Sequence, residues 1–228
     1  MSILRRQLVV LARWPAPGRC KQRLAASCGS SQAAAAVQRH LTAHTMSVAT
    51  TLQGIGLTLA VAGIGPRARR RWGRPWREQA GGDRLRLSGQ CGGNLACRMQ
   101  AQFRESFRRG AEQVVLIGTD LPGLETEDLE QAFALLSQHP LVLGPARDGG
   151  YWLIGLTRAG YRSALPRLMS GIPWGSSQVL GLTLAQAAAL KLNVGLLRTQ
   201  SDLDNAADLA PWLQRRCSDD QAIPTLPA

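Results

Sequence analysis

Val114-Val115-Leu116-Ile117-Gly118-Thr119-Asp120-Leu121-Pro122-Gly123 is the stretch that decides the fold of this 228-residue chain. The run Val114–Gly118 is continuously apolar, with no alternation of polar and apolar positions. A strand of that kind buries both faces, which happens inside a sheet covered by helices on either side. The run ends abruptly at Thr119-Asp120 and a Leu-Pro-Gly turn. A carboxylate directly after a buried strand sits at the mouth of the sheet rather than in its core.

Working outward, the same pattern recurs. Leu8–Ala12 (LVVLA) and Leu57–Ala62 (LTLAVA) read as further buried strands, and Leu141–Gly144, Tyr151–Leu156 and Val194–Leu197 as three more. Between them lie helical patterns. Ser31–Leu52 is alanine-rich, and Asn94–Arg109 places Leu95, Met99, Phe103 and Phe107 on one face. Thr126–Ser137 starts with Thr126 as cap and Glu127, Asp128 and Glu130 against the helix dipole. Ser177–Leu190 and Ala206–Gln214, the latter capped by Asn205, complete the set. Strands alternating with helices imply an α/β fold, a mostly parallel sheet with helices on both faces. Such sheets bind ligands at the carboxyl ends of their strands. The length fits one domain over residues 1–215, followed by a loosely ordered tail, 216–228, with two prolines and little periodicity.

The net charge is +12, and of the 27 basic residues only Lys21 and Lys191 are lysines. Such an excess fits a polyanionic partner: nucleic acid, an anionic membrane or phosphorylated small molecules. The densest cluster, Arg67 to Arg77, lies among Gly73, Pro75, Gly81 and Gly82 and reads as an exposed loop. Trp72 and Trp76 beside it are the one hint of a nucleic-acid platform, so nucleic acid is not the expected partner. Five cysteines without a CxxC pair argue against a disulfide framework or zinc knuckle and suit a reducing cytoplasm. No apolar stretch approaches a membrane span.

Polar residues after the strands carry the chemistry. Arg13-Trp14-Pro15-Ala16-Pro17-Gly18-Arg19-Cys20-Lys21-Gln22-Arg23 follows the first strand. Gly18 lets a backbone N–H approach a ligand, and Lys21 and Arg23 have the chemistry to bind phosphate oxygens. No Walker A sequence is present. Asp120 suits a hard cation such as Mg²⁺ or Mn²⁺, or else a turn. Asp148-Gly149-Gly150 forms a tight turn between strands, with Asp148 also able to contact an acceptor. Asp202 and Asp204, at spacing two before a helix, can face a metal together or serve as a cap with a spare acid. His40 and His44, four apart on a helix, lack a third ligand nearby in sequence and read as surface residues.

Six segments, ARWPAPGRCKQRL, GQCGGNLACRM, VLIGTDLPGL, LGPARDGGYWLIGL, GIPWGSSQVL and DLDNAADL, occur in this order between Ala12 and Leu209, and the resemblance they carry runs from about Leu8 to Leu213. Together they resemble the bacterial glycosyltransferase-like family allied to phospholactate guanylyltransferase, which includes radical-SAM/selenodomain-associated and arsenosugar-biosynthesis glycosyltransferase-like proteins. The resemblance implies a GT-A (nucleotide-diphospho-sugar transferase) fold and a transferase using nucleotide-activated substrates. It implies that Arg13, Gly18, Lys21 and Arg23 line the nucleotide phosphates and that Gln90, Asn94 and Arg98 grip the nucleotide. It implies Asp120 and Asp204 as metal ligands, and Asp148, Gly149, Gly150, Tyr151 and Trp174 on the acceptor side. The chain departs from the family pattern at Gln22, where threonine is usual, at Asn94, where aspartate is usual, and at Asn205-Ala206-Ala207, where a Thr-Pro-Glu run is usual.

The expected activity is metal-dependent transfer from a nucleotide-activated donor, with Lys21, Asp120 and Asp148 in the catalytic roles and Mg²⁺ or Mn²⁺ as cofactor. Glycosyl transfer from a nucleotide sugar to a small acceptor stands first. Nucleotidyl, guanylyl-type transfer from a triphosphate to a phosphorylated small molecule is the alternative, because the cations from Arg13 to Arg23 suit a triphosphate and Gly118 stands where the usual Asp-x-Asp metal motif has its first acid, so that Asp204 would have to complete the metal site. A non-catalytic nucleotide-binding module is a third.

Overall fold

The computed structural model describes residues 4–165 and 167–209. The expected tail 216–228, the part of the last helix beyond Leu209 and the end of the expected 1–215 domain lie outside the described residues. Among the described residues seven strands form one sheet: β1 (Arg6–Arg13), β2 (Gly56–Ala62), β3 (Leu85–Gly89), β4 (Gln113–Ile117), β5 (Leu141–Pro145), β6 (Tyr151–Thr157) and β7 (Val194–Leu196). Their order is β3-β2-β1-β4-β6-β5-β7. Every neighbouring pair is parallel except those made by β6, which runs antiparallel to β4 and β5. The mostly parallel α/β sheet expected from the sequence is thus present.

Seven α-helices cover the sheet among the described residues: α1 (Gln22–Cys28), α2 (Ser31–Thr51), α3 (Pro66–Gln79), α4 (Leu95–Arg108), α5 (Thr126–Leu135), α6 (Arg158–Ala164) and α7 (Val179–Ala189). Side chains of β1 alternate between two cores. Leu8 and Val10 pack with Met46 of α2, Trp76 of α3 and Phe133 of α5. Val9 packs with Phe103 of α4, Ala164 of α6 and Ala187 of α7. Phe103 and Phe133 are almost wholly buried, and removing each from water contributes on the order of 2 kcal/mol. No described helix is long and apolar enough to cross a membrane.

Two expectations are corrected. The arginine cluster is not a loop but the body of α3. Pro66 stands in its first turn, where a missing N–H costs nothing, and arginine is a good helix former. Gly73 and Trp76 turn inward, and Trp72 packs edge-on between Trp14 and Trp76 with ring centroids 5.2 and 5.0 Å apart. A Cβ at Gly73 would stand 2.5 Å from Leu87 of β3, so the glycine marks close helix-to-sheet packing and not a turn. The cap of α5 is Glu125, one residue before the expected Thr126, because the Asp128 carboxylate accepts the Glu125 N–H at 2.9 Å.

Candidate active site

The strand order reverses beside β1, with β2 and β3 on one side and β4 on the other. Open α/β sheets form their crevice at such a switch point. A cavity of about 620 Å³ opens there, between Arg13 at the end of β1 and Thr119-Asp120 at the end of β4. The segment after β7 brings Asp202 and Asp204 to the same mouth. Because β6 runs antiparallel, its first residues reach this edge too, and Asp148, Gly150 and Tyr151 line the far wall.

Lys21 lies at the centre. Its backbone is left-handed, φ 46 and ψ 48, an unusual state for a residue with a side chain. The side chain is only 4% exposed, and its ammonium stands 2.7 Å from Asp120 Oδ1 and 3.6 Å from Asp204 Oδ1. It also donates to the Leu203 carbonyl oxygen. Arg23 is largely exposed, with Nη1 3.4 Å from Asp204 Oδ2. Two cations expected on phosphates are therefore paired with the two acids expected on metal.

Asp202 belongs with this group and was not among the sites inferred from the family pattern. Its Oδ1 is sealed from solvent and, among the described residues, has no hydrogen-bond partner. Burial, then the charges of Asp120, Asp148 and Asp204, push its carboxyl up to about 7, with the Lys21 charge opposing. The sequence held a signal. Asp202 and Asp204 flank Leu203, which is fully buried with Leu24 and Leu41, so both acids are fixed beside the crevice.

Hard carboxylate oxygens, one orphaned in a negative field, have the donor chemistry that Mg²⁺ or Mn²⁺ requires. Among the described residues no group of three or more His, Cys, Asp or Glu side chains stands close enough to hold a metal as placed. The position between Asp120 and Asp204 is filled by the Lys21 ammonium. His44, on α2, contacts the Leu124 carbonyl oxygen at 3.0 Å through Nε2, away from this group.

The acid-bearing segment is strapped down. Asp128, buried at the start of α5, accepts from Arg198 Nε at 2.5 Å, Arg198 Nη2 at 2.8 Å and Gln200 Nε2 at 2.9 Å. Burial works to raise its pKa. The Arg198 hydrogen bond, the Glu125 N–H and the Arg198 charge overcome that and hold it below the usual carboxylate range. Gln200 joins β5 through a bond from its N–H to Pro145 O at 3.0 Å, and the Leu203 N–H donates to Asp120 O at 2.9 Å.

The remaining expected residues divide. Gly150, Tyr151 and Trp174 line the cavity, and Tyr151 meets Trp174 edge-on at 6.1 Å. The Tyr151 hydroxyl is sealed from solvent, and burial raises its pKa. Asp148 Oδ1 accepts the Gly150 N–H at 2.8 Å, as a turn-forming aspartate does. Gly149 does not line the cavity. It has φ +88, and a Cβ there would stand 2.1 Å from Ser177 O, so it seats the loop before α7. Gln90 lines the cavity while its amide nitrogen ties β1 to β2, donating to Ala12 O at 3.0 Å and Ala60 O at 2.8 Å. Asn94 and Gly18 lie outside it; Asn94 uses its side-chain oxygen to cap α4, accepting the Cys97 N–H at 3.0 Å.

A second hollow of about 260 Å³ adjoins the first, lined by Arg13, Trp14, Arg19, Ala62, Gly63 and Arg98. Arg13, Ala62 and Arg98 line both.

A family model described as "Uncharacterized protein conserved in bacteria (DUF2064)" matches residues 45–176, more than half of the chain, and the chain belongs to that family. No curated protein matches it. Among solved structures it is similar to a candidate nucleotide-diphospho-sugar transferase from Desulfovibrio desulfuricans G20, with 25% identity and a TM-score of 0.81 over 96% of this chain and 89% of that one. It is similar in fold to a 4-diphosphocytidyl-2C-methyl-D-erythritol synthase from Anaerococcus prevotii (9% identity, TM-score 0.61, 94% and 98% covered). It is also similar in fold to Rv0371c from Mycobacterium tuberculosis H37Rv, solved with manganese (16% identity, TM-score 0.52, 93% and 100% covered). The fold is GT-A-like, and its neighbours are nucleotide-sugar and nucleotidyl transferases.

Proposed function

We propose that this DUF2064 member is a divalent-cation-dependent transferase that takes a nucleotide-activated donor, with glycosyl transfer from a nucleotide sugar to a small acceptor as its reaction. The observation that carries this is the crevice at the strand switch point, where cations and carboxylates face each other across one cavity. Among the described residues, Arg13 and Arg98 each make one hydrogen bond and pair with no acid, which leaves guanidinium N–H groups for donor phosphates. Asp120 and Asp204 would hold the cation once the Lys21 ammonium leaves the position between them, and a bound Mg²⁺ or Mn²⁺ supplies charge neutralisation at the leaving phosphate oxygens. Release of Lys21 from the two acids would free its ammonium for the same phosphates. Tyr151 and Trp174 offer an apolar wall for an acceptor, and Asp148 a hydrogen-bond acceptor at its edge. Catalysis by such a site rests on positioning and charge stabilisation.

Nucleotidyl transfer of the phospholactate guanylyltransferase kind is the second reading. It is favoured by the number of arginines around the turn after β1, since a triphosphate brings more negative charge than a nucleotide sugar. The test is incubation with Mn²⁺, a panel of sugar nucleotides and triphosphates, and acceptors including sugar and lactyl phosphates. Release of nucleoside diphosphate supports glycosyl transfer. Acceptor-dependent pyrophosphate release replaces it with the second reading. Tight nucleotide binding without either product reduces the protein to a binding module.

A further inference from the structure

We propose that Cys91 and Cys97 form a peroxide-sensitive thiol pair whose oxidation to a disulfide reshapes the α4 wall of the crevice. They stand on either side of Gly92-Gly93 in the passage from β3 into α4, and both are exposed. The Cys91 thiol donates to the Cys97 carbonyl oxygen at 3.5 Å. The Cys97 side chain folds back over the same turn, since a Cβ at Gly93 would stand 3.1 Å from its Cβ and 3.3 Å from its Sγ. Gly93 has φ +96, so a side chain there would be strained as well as crowded, and the glycine leaves that space to the Cys97 sulfur. Both sulfurs therefore lie on one short turn. The other described cysteines are placed differently. Cys20 is buried, and burial raises its thiol pKa, which disfavours the reactive thiolate. The Cys28 thiol donates to Ser30 O at 3.6 Å, at the end of α1.

One thiolate attacks the O–O bond of hydrogen peroxide, leaving a sulfenic acid and releasing water. The second thiol attacks that sulfur, the S–S bond forms, and the sulfenic oxygen leaves as a second water. Two thiols and one peroxide thus give one disulfide and two waters, and a reducing thiol reverses the step by exchange. The disulfide has no S–H, so the bond from Cys91 to the Cys97 carbonyl is lost. A ring closed over residues 91–97 also pulls on the two bonds that begin α4. Asn94 Oδ1 accepts the Cys97 N–H at 3.0 Å, and Arg98 Nε donates to Gly93 O at 3.2 Å. Gln90, Leu95, Arg98 and Met99, within or beside this ring, line the main cavity. Oxidation therefore shifts the Arg98 guanidinium on the crevice wall. That a nucleotide feels the change rests on the transferase reading; the disulfide itself does not.

Trypsin cuts after Arg86 and Arg98, so one peptide, residues 87–98, carries both thiols and no other cysteine. After hydrogen peroxide in small molar excess, its mass should fall by two hydrogens and return with dithiothreitol. Two thiols still open to alkylation, or a disulfide to another cysteine or a second copy, overturn the pair. In the oxidised protein, amide exchange over residues 94–98 should quicken. Affinity for a nucleoside diphosphate, by calorimetry, should fall about tenfold, the loss of one charge-assisted bond from Arg98. Both changes should be absent from Cys91→Ser and Cys97→Ser proteins treated alike. Unchanged exchange and affinity in the disulfide form overturn the reshaping. So does an equal loss in the serine variants, which would trace the peroxide effect to other side chains. Nucleotide binding in neither state, beside a disulfide that quickens exchange, sinks the transferase reading and leaves the pair standing. Nucleotide binding without the disulfide sinks the pair alone.

Discussion

Replacing Lys21 with methionine keeps an unbranched apolar stem, one atom shorter, and deletes the ammonium. In the native structure the ammonium is 2.7 Å from one carboxylate and 3.6 Å from another. At an effective dielectric near 20, attractions at those distances are about 6 and about 5 kcal/mol. Most of that is offset by the cost of stripping water from a cation whose side chain is 4% exposed. The acids left behind are 43% and 40% exposed, so water can solvate them once the lysine is gone. The net loss is therefore below the 3–5 kcal/mol usual for a broken buried pair, about 2 kcal/mol. For a chain of this size that lowers Tm by about 4–8 °C. The same change leaves Asp120, Asp202 and Asp204 with no ammonium competing for them. Mn²⁺ should therefore restore the variant's Tm, and at lower concentration than it raises that of wild type. At a hundred times its dissociation constant it would contribute about 2.7 kcal/mol, more than the loss. Thermal melts across a Mn²⁺ series at low salt measure both effects. A Lys21→Met protein as stable as wild type in chelator, or one whose response to Mn²⁺ is no stronger, would refute the view that the lysine occupies a cation position.

Asp202→Asn should flatten the pH dependence of stability. A carboxyl raised from its ordinary 3.8 to about 7 binds its proton more tightly when folded, so its stabilisation is complete below about 3.8 and disappears as pH rises through about 7. At about 1.4 kcal/mol per pH unit the ceiling is about 4 kcal/mol, read as the divergence of wild-type and variant denaturation midpoints between pH 4 and 7; parallel curves would exclude it. Asp128→Ala removes the acceptor of Arg198 and Gln200, and should cost about 3 kcal/mol and speed amide exchange across residues 198–204; protection unchanged there would show that the strap does not hold the acids. Gly149→Ala puts a Cβ into Ser177 O at a φ of +88, and should cost at least about 2 kcal/mol in urea unfolding; a smaller loss would mean the loop before α7 yields easily.

What the sequence made legible, and what it hid, follows from how far each signal is local. Val114–Gly118 and Leu8–Ala12 are buried on both faces and say so through uninterrupted apolar runs, so they mark the centre of the sheet. β3 is different: its pattern, LRLSG, buries only Leu85 fully, and an edge strand with arginine and serine carries no comparable signal. The arginine helix was hidden by Gly73 and Pro75, which read as a turn from sequence; in the fold Gly73 is where Leu87 of the sheet packs closely, and Pro75 stands inside the helix. In the crevice, acids following strands were legible because position after a strand predicts the mouth. The pairing of Lys21 with Asp204 was not, since it joins residues 183 positions apart in sequence, and nothing local marks a lysine as buried.

Leu203 shows why those distant residues form one unit. Its side chain is fully buried with Leu24 and Leu41, so the segment 202–204 cannot turn over without exposing it. Its N–H donates to the Asp120 carbonyl, which fixes the segment against the end of β4, and its carbonyl accepts from Lys21. With the middle residue pinned at three points, the acids on either side have little freedom left. Asp204 faces the ammonium, and Asp202 is forced into a space where three other carboxylates outweigh one lysine. The strained backbone of Lys21 fits the same picture, because a left-handed residue at the start of α1 folds its side chain back toward that carbonyl instead of out to solvent. An apolar residue thus sets the electrostatics of the crevice. The adjoining wall carries Arg13, Arg19 and Arg98, which among the described residues have no acidic partner, so it is the half that has charge to offer a ligand.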